Sequence, residues 1–142
     1  MTTAPANKLR VVFDTNVYFS AFTHPLGPPF RIWRKAVNRN FVLLVSPAIL
    51  REIAHVLRDV LQWQETEIVA QLKLVAKVAE IISPTVRLRV IAEDPTDARV
   101  LECALAGRAD LIVSGDRHLR KLKSFRNIGI VQPSDFLRTL VG

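Results

Sequence analysis

Short apolar runs alternate with longer stretches of helical periodicity along this chain, and that alternation restricts the fold more than any other feature. The runs are LRVVF at 9–13, FVLLV at 41–45, EII at 80–82, LIVS at 111–114 and IGIV at 128–131. Continuous apolar runs of this length suit parallel strands buried on both faces. Helical patterns occupy 29–38, 47–60, 64–78 and 95–106, with a last one at 133–140. Alternation of this kind predicts an α/β fold, a three-layer α/β/α sandwich built on a central parallel sheet of about five strands with right-handed crossovers.

A chain of 142 residues with 49% apolar composition builds one substantial core and is short for two. The expected organisation is a flexible N-terminus over 1–8 and a single domain over 9–142. HPLGPP at 24–29 is the clearest break and predicts a loop beside the end of the first strand. VRLRVIAEDP at 86–95 alternates weakly, and an edge strand and an extended connection both fit it. No run approaches the roughly 18 apolar residues of a membrane span, and no export signal is visible. The one cysteine, Cys103, excludes an internal disulfide and points to a reducing, cytoplasmic setting.

Twenty Lys and Arg against thirteen Asp and Glu give a formal charge of +7, which favours an anionic partner such as nucleic acid. Charge alone does not separate RNA from a membrane surface. Arg117 to Arg126, RHLRKLKSFR, holds five basic residues and no acid; Arg117, Arg120, Lys121 and Lys123 within it are candidate RNA contacts. Arg31, Arg34, Lys35 and Arg39 read as a solvated helix face. Phe19, Phe22, Phe30 and Trp33 read as core or subunit-contact residues rather than base-stacking ones.

Four acids compete for a chemical role. Asp14 and Asp116 directly follow apolar strands, where side chains enter the crevice beyond the strand ends; each also fits as the N-cap of the next helix. Thr15, Asn16 and Ser114 add small polar groups beside them. Asp97 lies in line with Val100, Leu101, Ala104 and Leu105, the inward face of its helix. Asp94 as N-cap, Pro95 at the first helical position and Asp97 two residues on also make a sound helix start. Capping explains acidity at that turn without requiring an acid to face the core. A buried carboxylate is costly unless a cation or proton neutralises it. Glu52 falls on the polar border of the stripe formed by Ile49, Ile53, Val56 and Val60, where a glutamate taken alone is more often merely solvated, and only its company suggests a role. An all-oxygen cluster suits Mg²⁺ or Mn²⁺, and His24, His55 and His118 have no zinc-like spacing.

VVFDTNVYFSAF at 11–22, VSPAILREIAHVL at 45–57, EDPTDARVLECALAGRADLIVSGDRHL at 93–119 and IVQPSDFL at 130–137 occur here in the order in which they resemble PIN-domain proteins, especially VapC-like toxins of prokaryotic toxin-antitoxin pairs. The resemblance spans nearly the whole chain. It implies a sheet order of 3-2-1-4-5, Mg²⁺- or Mn²⁺-dependent ribonuclease activity, a small cognate antitoxin and a homodimer. By position, the family's acidic quartet falls on Asp14, Glu52, Asp97 and Asp116, with Asp14, Asp97 and Asp116 as metal ligands. Thr15, Asn16 and Ser114 resemble its polar neighbours of the metal, and Asp94 is an accessory. The alternatives are a catalytically inactive nucleic-acid-binding module of the same fold, and a phosphatase with a nucleophilic Asp14. Those phosphatases resemble DxDx[TV], whereas Asn16 stands here in place of the second acid.

Overall fold

Val11, Val12 and Phe13 are all essentially inaccessible to solvent. Successive strand residues point to opposite faces, so the strand they form, β1 (Arg10–Phe13), is covered on both sides. The same holds for β2 (Val42–Val45), where Leu43, Leu44 and Val45 are buried, and for β4 (Leu111–Val113), where Ile112 and Val113 are. The computed structural model describes residues 8–88 and 95–141.

Around this buried centre the described elements run α1 (Thr15–Thr23), α2 (Pro28–Val37), α3 (Pro47–His55), α4 (Glu65–Val78), β3 (Glu80–Ile81), α5 (Pro95–Ala106), α6 (Arg117–Arg120), β5 (Ser124–Phe125), β6 (Ile128–Val131) and α7 (Pro133–Val141). The sheet order is β3-β2-β1-β4-β6-β5. Its first five strands pair in parallel, as the expected 3-2-1-4-5 order requires. The sixth is an addition: β5 pairs antiparallel with β6, with Phe125 opposite Ile128, so the sheet is mixed rather than wholly parallel. Arg126 and Asn127, both at positive φ, turn the chain between them.

Three further elements differ from expectation. Residues 15–23 form α1, which buries Val17, Tyr18 and Ala21. Valine and aromatic residues are poor helix formers, and packing on α2 and α3 stabilises the helix where propensity does not. The break at 24–29 is shorter than its prolines suggest, because Pro28 and Pro29 occupy the first turn of α2, where a missing N–H costs nothing. The helix expected over 47–60 keeps α geometry only to His55, then widens into a π-helical turn over Val56–Val60. There the Leu61 N–H donates to the Val56 carbonyl. Within 86–95, residues 86–88 belong to no strand, and 89–94 lie outside the described residues.

Two polar networks tie the connections down. At the strand N-terminal end, Arg10 donates through both terminal nitrogens to Glu80 (3.1 and 3.2 Å) and through Nε to the Gly107 carbonyl (2.9 Å). Its backbone N–H donates to Asp110 (2.8 Å). Nearer the other end, the buried Glu102 accepts from the Leu88 N–H (2.7 Å) and from Arg99 Nε (2.8 Å) and Nη2 (2.9 Å). Arg99 also donates to the Leu88 carbonyl. One ion pair thus satisfies both backbone groups of Leu88, a residue outside any strand. Cys103 is fully buried, and that burial pushes its thiol up to about 12, so it packs as a small apolar residue.

Candidate active site

Strand order reverses between β1 and β4, because the chain proceeds from β1 outward to β2 and returns to β4 on the other side. Phe13 and Val113 are register partners at that point, and the Asp14 N–H donates to the Val113 carbonyl (2.9 Å). Asp14 and Ser114 therefore leave the sheet side by side at the carboxyl ends of adjacent strands, where open α/β sheets form their crevice. Ser114, wholly buried, donates its hydroxyl to Asp14 Oδ2 (2.7 Å) and accepts from the Asp116 N–H (2.9 Å). One hydroxyl thereby fixes the positions of both acids.

Asp97 completes the group from the first turn of α5. Carboxylate oxygens of Asp14, Asp97 and Asp116 all lie within 4.8 Å of one another. Asp14 and Asp97 are each 3% exposed, and Asp116 is partly exposed. Charges that close repel strongly in a poorly solvated site. Burial lifts the Asp14 carboxyl above the ordinary carboxylate range; the Ser114 hydrogen bond opposes this, and the nearby Asp116 charge adds to it. A hard cation with oxygen ligands fits such a donor set, since it would offset both the desolvation and the repulsion.

The capping alternatives divide. Asp116 does cap α6, accepting from the His118 N–H (2.8 Å), and it still places a carboxylate oxygen in the cluster. Asp14 holds the N-cap position of α1, where its backbone carbonyl accepts from the Val17 N–H (2.9 Å) but its side chain makes no capping hydrogen bond. Thr15 is buried beside it and Asn16 is exposed. Asp94, and with it the capping reading of α5, lies outside the described residues.

Glu52 stands apart from the three aspartates. It lines a cleft of about 390 Å³ together with Thr15, Arg51, His55, Thr96 and Arg99, so it faces the approach to the acids rather than joining them. Sequence reasoning missed Arg51 and Arg99 on that wall. Neither carries a motif, and only the packing of α3 against α5 brings them together. Of the candidate RNA contacts, Arg117, Lys121 and Lys123 are exposed and Arg120 half-buried, all on the segment that follows Asp116. Trp33 is core; the partly buried Phe22 meets it edge-on, and Trp63 packs against Phe22.

The ionisation of Asp14 carries a measurable cost. Because its pKa is raised on folding, the protonated form favours the folded state, and the penalty for the carboxylate grows as pH rises above the unfolded value near ~3.9. In EDTA, Asp14→Asn is expected to raise stability to urea at neutral pH, with the gain shrinking as pH falls toward about 4 and absent below it. Adding Mn²⁺ should then stabilise the parent protein and not the variant. Equal stability of the two at neutral pH would contradict a buried, repelled carboxylate.

Comparison with known proteins places these features in a family. The PIN domain matches residues 10–118. The uncharacterized protein MJ1680 of Methanocaldococcus jannaschii is 33% identical over 121 residues, which cover 82% of this chain and 76% of that protein. Among solved structures, VapBC2 from Rickettsia felis, bound to a DNA fragment from their promoter, matches with a TM-score of 0.63 at 13% identity, covering 87% of this chain and 98% of the other. PAE2754 from Pyrobaculum aerophilum matches with a TM-score of 0.61 at 17% identity, covering 94% and 90%. At such identities the two structures speak for the fold alone.

Proposed function

The chain belongs to the PIN-domain family, and from that premise we propose that it is a metal-dependent endoribonuclease, the toxin of a toxin-antitoxin pair. The observation that carries the proposal is the convergence of Asp14, Asp97 and Asp116 within 4.8 Å at the strand-order reversal.

These three acids would hold Mg²⁺ or Mn²⁺. A divalent ion bound there supplies Lewis-acid polarisation of a phosphodiester and a water of lowered pKa. The chain's own contribution is positional. Ser114 fixes Asp14 and Asp116 relative to each other through its two hydrogen bonds, and α5 aims Asp97 inward among Ala98, Val100 and Leu101. Thr15 and Asn16 begin α1 beside the acids and supply further polar groups. Glu52, on the cleft wall, is suited to orient water or substrate. Arg117, Lys121 and Lys123 offer phosphate contacts next to Asp116, with Arg120 behind them.

Regulation would follow from the same geometry. A small antitoxin covering the acidic crevice would stop turnover, and the VapBC2 complex is a fold-level precedent for a partner of this kind. Dimerisation is part of the proposal, and light scattering tests it. No described helix is long and apolar enough to cross a membrane.

The deciding experiment incubates the purified protein with single-stranded RNA in Mn²⁺ or Mg²⁺, with and without excess EDTA. Metal-dependent endonucleolytic fragments are expected. RNA that is bound yet left intact with either metal would favour an inactive binding module, and turnover that persists in EDTA would remove the metal site.

A further inference from the structure

The cleft beside Glu52 does not end at α3. A second cleft, of about 370 Å³, lies between the start of α3 and the chain over 83–87, and the two share Ala48, Arg51 and Arg99. Together they form one groove. It begins at Thr15 and Thr96, the chain neighbours of Asp14 and Asp97, and ends at Thr85 and Arg87. We propose that this groove binds the sugar-phosphate backbone of the single-stranded RNA flanking the cleaved bond, with Arg51 and Arg87 as its phosphate contacts. The inference rests on the ribonuclease reading above and names the path by which substrate reaches that site.

Charge and shape both support a polyanion. Arg51 and Arg87 are exposed, and neither has an ion pair or side-chain hydrogen bond among the described residues. Arg99 between them is immobilised by Glu102 and the Leu88 carbonyl. Glu102 is 6% exposed and spends its oxygens on Arg99 and the Leu88 N–H, so it does little to repel an incoming phosphate. A single small anion would occupy one end of such a groove, whereas cations spaced along it match a chain of phosphates. No Phe, Tyr or Trp lines either cleft, which removes base stacking, and Ser83, Thr85 and Thr96 supply hydroxyls suited to sugar and phosphate. Binding here is therefore sequence-tolerant. Selection of a cleavage site falls to groups nearer the acids.

The test measures anisotropy of a short fluorescein-labelled single-stranded RNA against KCl concentration, in EDTA so that the RNA stays intact. For single strands each phosphate contact contributes about 0.7 to the slope of log affinity against log salt, so Arg51→Gln with Arg87→Gln should flatten it by about 1.4. Arg51→Lys with Arg87→Lys should keep the parent slope. Arg34→Gln with Lys35→Gln on α2 removes the same net charge from another face and should leave the slope unchanged. All these side chains lie at the surface, and circular dichroism checks the fold of each variant. An unchanged slope in the groove variant, an equal flattening in the α2 variant, or no binding by the parent protein would each overturn the proposal. Groove-dependent binding without metal-dependent turnover would sink the nuclease reading and leave the groove; turnover with a groove-independent slope would do the reverse.

Discussion

Asp97→Asn is expected to lower RNA turnover in saturating Mn²⁺ by more than the roughly 100-fold that loss of an outer-sphere partner costs a metal site. The substitution keeps shape and removes charge. Asp97 is buried in the first turn of α5, and asparagine has nearly the same volume. What disappears is one of three anionic oxygens within 4.8 Å, so both affinity for the ion and the position of anything bound to it should suffer. Below saturating Mn²⁺ the loss should be larger still, because weaker binding yields to mass action and misplacement does not. The measurement is kcat/KM over a metal titration, with thermal unfolding to show that the variant is folded. A loss of less than tenfold at every metal concentration would remove Asp97 from the site and leave its acidity to helix capping.

The largest loss of stability is expected at Phe13. Its ring sits 5.6 Å from that of Tyr18 and 5.9 Å from that of Phe41, which in turn meets Phe136 of α7 edge-on at 5.0 Å. β1, α1 and α7 are thus joined through one aromatic line. Phe13→Ala should cost about 3–5 kcal/mol, against a total of roughly 5–15 kcal/mol for a domain of ordinary stability. Urea unfolding measures it. Tyr18→Phe is the control, since the Tyr18 hydroxyl is buried without a partner among the described residues and its removal should be neutral or stabilising. A cost below about 1 kcal/mol for Phe13→Ala would mean that the site collapses around the missing ring.

The parts of this fold that were legible are those where burial leaves no choice. β1, β2 and β4 read as strands because residues on both of their faces are inside, and Asp97 stood out because helical periodicity placed a charge on an apolar face. α1 was not legible: Val17, Tyr18, Phe19 and Phe22 lower helix propensity, and the packing that forms the helix comes from other elements, chiefly the next helix α2 and then α3. β5 was missed because two residues carry no periodicity at all. Glu52 entered through family resemblance, and its place on a cleft wall rather than beside the aspartates depends on how α3 lies against α5. The groove is the extreme case. Arg51, Arg87 and Arg99 become neighbours only after folding, and nothing in their local sequence distinguishes them from other surface arginines.

The sheet's outline has a bearing on how this protein behaves in concentrated solution. Its central strands β1 and β2 are four residues long, whereas the flanking strands β3 and β5 have two each. Among the described residues, a tapering sheet of this kind leaves only a few unpaired backbone groups at either border, too few to template the strand of another molecule. Accretion of copies border to border, the route by which exposed sheets grow into fibrils, therefore has no long seam among the described strands on which to start.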